Sequence, residues 1–342
     1  MRIRLSNEYG TAPVRLTGAT IARSGDGASL KPGTVQQLRF GHRGETVIPA
    51  GQAVASDATP MRVSALDALT VTLYFKAPSG PATFHQGGLT TTYRAAGDRR
   101  YDHGSAAFRG ETSNARYFIT GVDVAGAGTP AGAVVAFGDS ITDGHGSTSG
   151  ADNRYPDQLA ERLVGSGRRV SVVNAGIGGN KLLADSPCYG ERAVTRFNRD
   201  ALSQPGVRTV VVLEGVNDIG AGGYPDFGCG ASHVVTASEV ISAHRRLIQS
   251  AHRAGVRVIG ATITPMKNST GYYSAEKEAV RDQFNSWIRN SGEYDAVVDL
   301  DRILADPKDT DALASRFDSG DGLHVNDAGA DRIAEAVSRA LC

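Results

Sequence analysis

From Met1 to about Val124, apolar and polar residues alternate in short segments rich in Thr, Val and Leu, interrupted at frequent intervals by Gly, Pro and Asp. A period of two predicts strands. The better segments are Arg2–Asn7, Val14–Ile21, Thr34–Phe40, Met61–Ser64, Leu69–Phe75, Leu89–Arg94 and Tyr117–Val124, and none before Pro130 carries a convincing helical period. Residues 1–124 are therefore expected to form an all-β sandwich or jelly roll. If Arg2–Asn7 is a central strand, its partner is expected to be missing on the N-terminal side.

Residues 125–132 read Ala-Gly-Ala-Gly-Thr-Pro-Ala-Gly, a linker and the one clear break in composition. Beyond it, apolar runs at 133–137, 170–173, 209–213, 256–263 and 296–300 alternate with helical stretches. These begin near Pro156, Ala193, Ser238 and Ser274, and a last one covers 327–341. Pro156 suits a first helical turn, and Leu159, Leu163 and Val164 keep helical spacing after it. Five strands joined by crossover helices predict a three-layer, flavodoxin-like parallel α/β sheet over 133–342.

Charge narrows the function classes. Lys plus Arg and Asp plus Glu both number 36 in 342 residues. No net field points to nucleic acid or to an anionic membrane. No apolar stretch reaches the length of a transmembrane span. The start, Met-Arg-Ile-Arg-Leu-Ser-Asn, has no apolar signal core, so any signal peptide is absent from this chain. The three cysteines, Cys188, Cys229 and Cys342, match no zinc spacing and no redox pair. No metal or other cofactor is expected.

Candidate chemistry lies in the turns after the predicted parallel strands, where open α/β sheets bind ligands. Strand one ends in Gly138-Asp139-Ser140-Ile141. Strand two runs into Asn174-Ala175-Gly176-Ile177-Gly178-Gly179-Asn180, strand three into Gly215-Val216-Asn217-Asp218, and Asp321-Gly322-Leu323-His324 follows strand five just before the last helix. In a parallel sheet all four share one edge. A serine becomes a nucleophile when a histidine can take its proton and a carboxylate fixes that histidine's tautomer. Ser140, His324 and Asp321 supply these parts. The Ser140 N–H, the Gly179 N–H and the Asn217 amide are the candidate oxyanion donors. Ile177, Leu182, Ile219 and Leu323 stand near these turns as the candidate lining of a small apolar acyl site.

These four blocks, in this order, resemble those of the SGNH (GDSL) hydrolases over roughly residues 133–342. The resemblance implies a carboxylic ester hydrolase without a metal cofactor: an esterase, lipase, thioesterase or carbohydrate deacetylase. It implies a serine nucleophile at Ser140, His324 as base, and Gly179 and Asn217 completing the oxyanion hole. The preceding β region is similar to an accessory domain of some secreted actinobacterial members. The expected partner is a small or polymeric ester, such as an acetylated carbohydrate or a lipid.

Blander readings stand beside these. Ser140 and the Gly178-Gly179 pair can be plain turn residues, Asn217 can cap a helix, and capping is the favoured role for Asp218. Asp139 reads as a turn-stabilising acceptor. His42, His85, His103, His145, His233, His244 and His252 read as surface or satisfied residues, and Tyr272 and Tyr273 as cleft or packing residues. The alternative function is a non-catalytic glycan- or surface-binding protein that uses its β domain. Cys188 follows the Gly179 turn and Cys229 the Asn217 turn, so their loops leave nearby strands at one sheet edge. A disulfide between them is expected, with Cys342 free, and with it secretion to an oxidising setting. Two free thiols in a cytoplasmic enzyme are the other reading.

Overall fold

A computed structural model describes residues 1–125, 132–223, 229 and 232–341. The chain divides into two compact units, Met1–Thr129 and Pro130–Cys342. Positions 126–131 of the expected linker, and Cys342, lie outside the described residues.

The first unit is antiparallel β. Its strands are β1 (Arg2–Ser6), β2 (Val14–Leu16), β3 (Gly18–Arg23), β4 (Gln36–Leu38), β5 (Thr46–Ile48), β6 (Ala53–Ala55) and β7 (Leu69–Tyr74), followed by β8 (Phe84–His85), β9 (Thr92–Tyr93), β10 (Thr112–Ser113), β11 (Arg116–Tyr117) and β12 (Ile119–Asp123). They pair in the orders β12-β1-β6, β4-β3-β7, β2-β5, β9-β10 and β8-β11. Alternation does the work expected of it. Ile3 and Leu5 of β1, Val14 and Leu16 of β2, and Ile21, Leu38 and Ile48 point into one core with Phe40 and Phe118.

Three expectations change here. Met61–Ser64 forms no strand; it follows Pro60, which has no N–H to give to a ladder. Leu89–Arg94 shrinks to Thr92–Tyr93, because Leu89 takes a φ of +47°, outside the strand region. And β1, though central, lacks no partner: β12 and β6 occupy its two sides, with Arg4 opposite Gly121 on one and Ala55 on the other.

In the second unit, β13 (Ala133–Gly138), β14 (Ser171–Gly176), β15 (Val207–Leu213), β16 (Arg257–Ala261) and β17 (Ala296–Val298) form one parallel sheet in the order β14-β13-β15-β16-β17. This is the doubly wound, flavodoxin-like order. Its topological switch point falls between β13 and β15, and the crevice for a ligand opens outside their carboxyl ends. Every residue of β13 is buried, as its unbroken apolar run predicts. The helices are α1 (Ser140–Asp143), α2 (Tyr155–Gly165), α3 (Ala193–Phe197), α4 (Val216–Gly220), α5 (Ala237–Arg253), α6 (Ala275–Asn290), α7 (Leu300–Leu304) and α8 (Asp327–Ala340). Helix α2 packs on α8, and α5 on α6 and α3.

Local chemistry sets the helix starts. Thr236 and Glu239 make a reciprocal capping box on α5, and Ser274 caps α6. The fifth strand stops two residues early because Asp299 caps α7. After α7 comes a hairpin of β18 (Ala305–Asp306) and β19 (Asp309–Leu313), so the Asp321–His324 turn follows this insertion and not β17 directly. Among the described residues no helix is long and apolar enough to cross a membrane.

Candidate active site

The crevice at the switch point is built by three strand ends. At the first, β13 ends at Gly138, where an added Cβ would stand 2.4 Å from the carbonyl oxygen of Leu213 on β15. Only glycine allows that approach. Asp139 then caps α1, its Oδ1 accepting the Ile141 N–H at 2.9 Å, and Ser140 is the first residue of the helix. The turn-acceptor reading of Asp139 describes this bond.

Ser140 Oγ lies 2.8 Å from His324 Nε2, across 184 positions of sequence. On the other side of the ring, His324 Nδ1 lies 2.6 Å from Asp321 Oδ2. The carboxylate needs a donor, so Nδ1 carries the proton and Nε2 presents a lone pair to the serine hydroxyl. Asp321 is itself held, its Oδ1 accepting the backbone N–H groups of Leu323 and His324 at 2.9 and 2.8 Å. Partial burial raises its pKa, but the hydrogen bonds from His324 and Leu323 outweigh this and bring it down to about 2. Burial pushes the His324 pKa below the ordinary imidazole value, and the bond to Asp321 offsets only part of that. A neutral ring that can take a proton from Ser140, beside an ionised carboxylate, is the arrangement acyl transfer requires.

The second strand end carries Gly179 at φ +72°, with the Tyr189 ring so close that a Cβ would stand 2.4 Å from it. Glycine is required there both by the backbone and by the ring. The third end carries Asn217, 3% exposed. Its Nδ2 donates to the carbonyl of Asn180 at 2.9 Å, and its Oδ1 accepts from the Tyr272 hydroxyl at 2.8 Å. These two bonds fix which way the amide faces. One N–H remains, with no further acceptor among the described residues.

Beneath the turns lies a charged layer that the sequence reading passed over. Arg196, fully buried, donates to the carbonyls of Gly138 and Ala175, to Asn180 Oδ1 and to Glu214, at 2.8 to 3.1 Å. It thus ties the ends of β13, β14 and β15 together. Glu214 sits at the end of an apolar strand, and that misplaced charge was the available signal. Burial first, then the neighbouring Asp139, hold the Glu214 carboxyl well above its usual range. Burial likewise pushes Asp139 up to about 7 and Asp218 up to about 6.

Two expected roles change. Asp218 does not cap its own helix, which starts from Gly215; it accepts the N–H groups of Leu182 and Leu183 at 2.7 and 3.0 Å and so pins the Gly179 loop. Of the expected acyl-site lining, Leu182 (0%), Ile219 (3%) and Leu323 (5%) are buried and belong to the hydrophobic core of the unit. Ile177 alone of the four keeps part of its surface. Two further residues acquire a place. Tyr272 bonds to Asn217, as above. His145 stands exposed with its ring centroid 4.2 Å from that of His324.

Cys188 and Cys229 are joined in a disulfide, with their Cα atoms 5.3 Å apart. The bridge lies beside Tyr189, the residue that packs on Gly179.

Comparison with known proteins adds the following. The sequence profile described as the GDSL-like lipase/acylhydrolase family matches residues 136–332. Similar solved structures include a protein described as a putative lipolytic protein of the G-D-S-L family from Desulfitobacterium hafniense, at 19% identity, covering 61% of this chain and 98% of that one, with a TM-score of 0.46. Others are a lipase/acylhydrolase from Enterococcus faecalis (21%, 61% and 94%, 0.46) and an aryl esterase from M. smegmatis (15%, 62% and 98%, 0.47). No curated protein matches the chain.

Proposed function

This chain belongs to the GDSL-like lipase/acylhydrolase family and is a carboxylic ester hydrolase, and from that premise we propose that it works through an acyl-enzyme on Ser140 and prefers short acyl groups. The observation that carries the mechanism is the continuous relay from Ser140 Oγ through His324 to Asp321, at 2.8 and 2.6 Å. In this reading His324 takes the hydroxyl proton as Ser140 attacks the ester carbonyl, then returns it to the leaving alcohol. Water, deprotonated by the same ring, releases the acid. The oxyanion meets the N–H groups of Ser140 and Gly179 and the remaining N–H of Asn217, each donor worth about 3–4 kcal/mol in the transition state.

The acyl preference rests on burial. Among the described residues, with Leu182, Ile219 and Leu323 in the core, the exposed groups around the relay are polar or aromatic, Asp321, His145 and Tyr189, and the apolar side chains of the Gly179 loop, Ile177 and Leu183, are only partly open. A long alkyl chain would gain about 0.8 kcal/mol for each CH2 it buried, and these side chains offer it little apolar wall. An acetyl ester, on a carbohydrate or another alcohol, fits better. The disulfide supports an oxidising, extracytoplasmic setting. A series of p-nitrophenyl esters from acetate to palmitate, run beside acetylated xylan, tests this. We expect kcat/KM to be highest for acetate and to fall at least about tenfold by the octanoate, whereas a rise with chain length would overturn the short-acyl reading.

A further inference from the structure

His145 is tied to the site by its backbone. Its N–H donates to the carbonyl of Ser140 at 2.9 Å. The glycines on either side, Gly144 and Gly146, take φ values of +108° and +90°, and a Cβ at Gly146 would stand 2.5 Å from the carbonyl oxygen of Val325, the neighbour of His324. This stretch therefore folds over the histidine turn and lays one imidazole against another, with the ring planes at 55°. One ligand atom from each of His145, His324 and Asp321 lies within 4.8 Å of the others.

We propose that these three side chains form a transition-metal site whose occupation switches the hydrolase off. Two imidazole nitrogens and one carboxylate oxygen are a donor set suited to zinc, with a fourth position open to water. Ligand atoms at about 2.0–2.2 Å from a tetrahedral ion stand roughly 3.3–3.6 Å apart. The Asp321–His324 pair, at 2.6 Å, must open slightly to admit the ion. His145 must move inward; it is exposed and hinged between two glycines, so no core packing resists that movement.

Asp321 faces Nδ1 and Ser140 faces Nε2, so an ion shared with the carboxylate binds Nδ1. It displaces the ring proton to Nε2, which then donates and no longer accepts. The ion enters and leaves without a covalent change. The inhibitory consequence rests on the proposed role of His324 as base; the binding itself does not.

The test uses the full chain, freed of metal with a chelator, then given zinc chloride in a buffer that does not bind it. Zinc at micromolar levels is expected to stop p-nitrophenyl acetate hydrolysis, EDTA to restore it, and magnesium or calcium to have no effect. Each protein is compared with its own metal-free rate. In His145→Gln the half-inhibitory zinc concentration should rise by about tenfold or more, since losing even an outer-shell partner of a ligand costs about that much. Calorimetry should give one zinc per parent chain, with the same weakening in the variant. Equal inhibition of parent and variant, or no zinc uptake by the parent, would overturn the proposal. If the protein bound zinc through His145 yet hydrolysed no ester, the metal site would stand and the hydrolase reading would fall.

Discussion

Each unit of this chain buries an asparagine close to the end of a strand, and the two are used differently. Asn7, fully buried after β1, gives its side-chain N–H groups to the carbonyls of Ala12 and Ile48, at 2.9 and 3.0 Å. Both donors are consumed in holding loops together. Asn217, after β15, gives one N–H to Asn180, has its oxygen held by Tyr272, and keeps the other N–H at the switch-point crevice. The contrast extends to charge. Among the described residues, the buried polar side chains of the first unit are Ser6, Asn7, Thr20, Ser56 and Thr59, all neutral. The second buries Asp139, Arg196, Glu214 and Asp218 beneath its turns. Charged groups of the first unit pair at its surface, some in the open as Arg15 does with Glu45 at side-chain exposures of 67% and 49%, others partly covered as Arg23 is with Asp67. Such pairs contribute about 0–1 kcal/mol. Buried charge is not confined to the site, since Arg281 is buried with Glu278 and Asp301 between α6 and α7, but the Arg196 cluster is the one that holds the ends of β13, β14 and β15.

Substituting the two asparagines sharpens this contrast most. Asn217→Ala is expected to lower kcat by roughly a hundredfold or more with little change in KM, since an oxyanion donor acts in the transition state. Asn7→Ala should leave kcat per folded molecule unchanged and lower the stability of its unit by about 1–3 kcal/mol, the cost of stranding two buried carbonyls. Steady-state kinetics and thermal melts on both variants separate these outcomes; equal behaviour would erase the distinction. Tyr272→Phe should give a smaller loss, about threefold to tenfold in kcat, because Asn217 remains but its amide is held less firmly. In an Asn217→Ala background the same change should cost almost nothing.

The buried charges predict a pH effect confined to the second unit. Asp139 and Asp218 titrate near 7 and near 6 in the folded chain, above the ordinary aspartate value, and Glu214 is raised as well. The folded state therefore keeps protons that the unfolded chain has lost. That contribution to stability is complete below about pH 4 and disappears as pH rises through 6 and 7. His244, buried with its pKa lowered to about 3 by desolvation, works the other way, because its unfolded form holds a proton at pH 5 that the folded form lacks. The Glu214 contribution is therefore read as a difference: from pH 5 to pH 8 the melting temperature of Glu214→Gln, which cannot ionise, should gain on that of the parent. Parallel curves for the two proteins would show that Glu214 does not take part.

Much of this was readable from residues alone. Unbroken apolar runs located the five parallel strands, and the turns after them held Ser140, Gly179 and Asn217, because a parallel sheet sends all its strand ends to one edge. What escaped were features set by packing between distant segments. No spacing links His145 to His324, or Tyr272 to Asn217; the first pair meets because Gly146 fits against Val325, the second because the Tyr272 ring packs on Gly220. Arg196 reads as an ordinary helix cation until three strand ends are seen to meet on it. The burial of Leu182, Ile219 and Leu323 was hidden for a related reason: an apolar residue beside a motif can stand open or pack into the core, and the period within a turn does not say which.

The central claim is that Ser140 is the nucleophile, and covalent labelling tests it most directly. The full chain is treated with an organophosphate ester and digested, and the modified peptide is found by mass spectrometry. The account predicts one equivalent of phosphoryl adduct on Ser140, loss of ester hydrolysis in step with labelling, and no adduct in a Ser140→Ala variant that melts as the parent does. An adduct on another residue, or a Ser140→Ala variant that keeps more than about a tenth of the parent kcat, would contradict it.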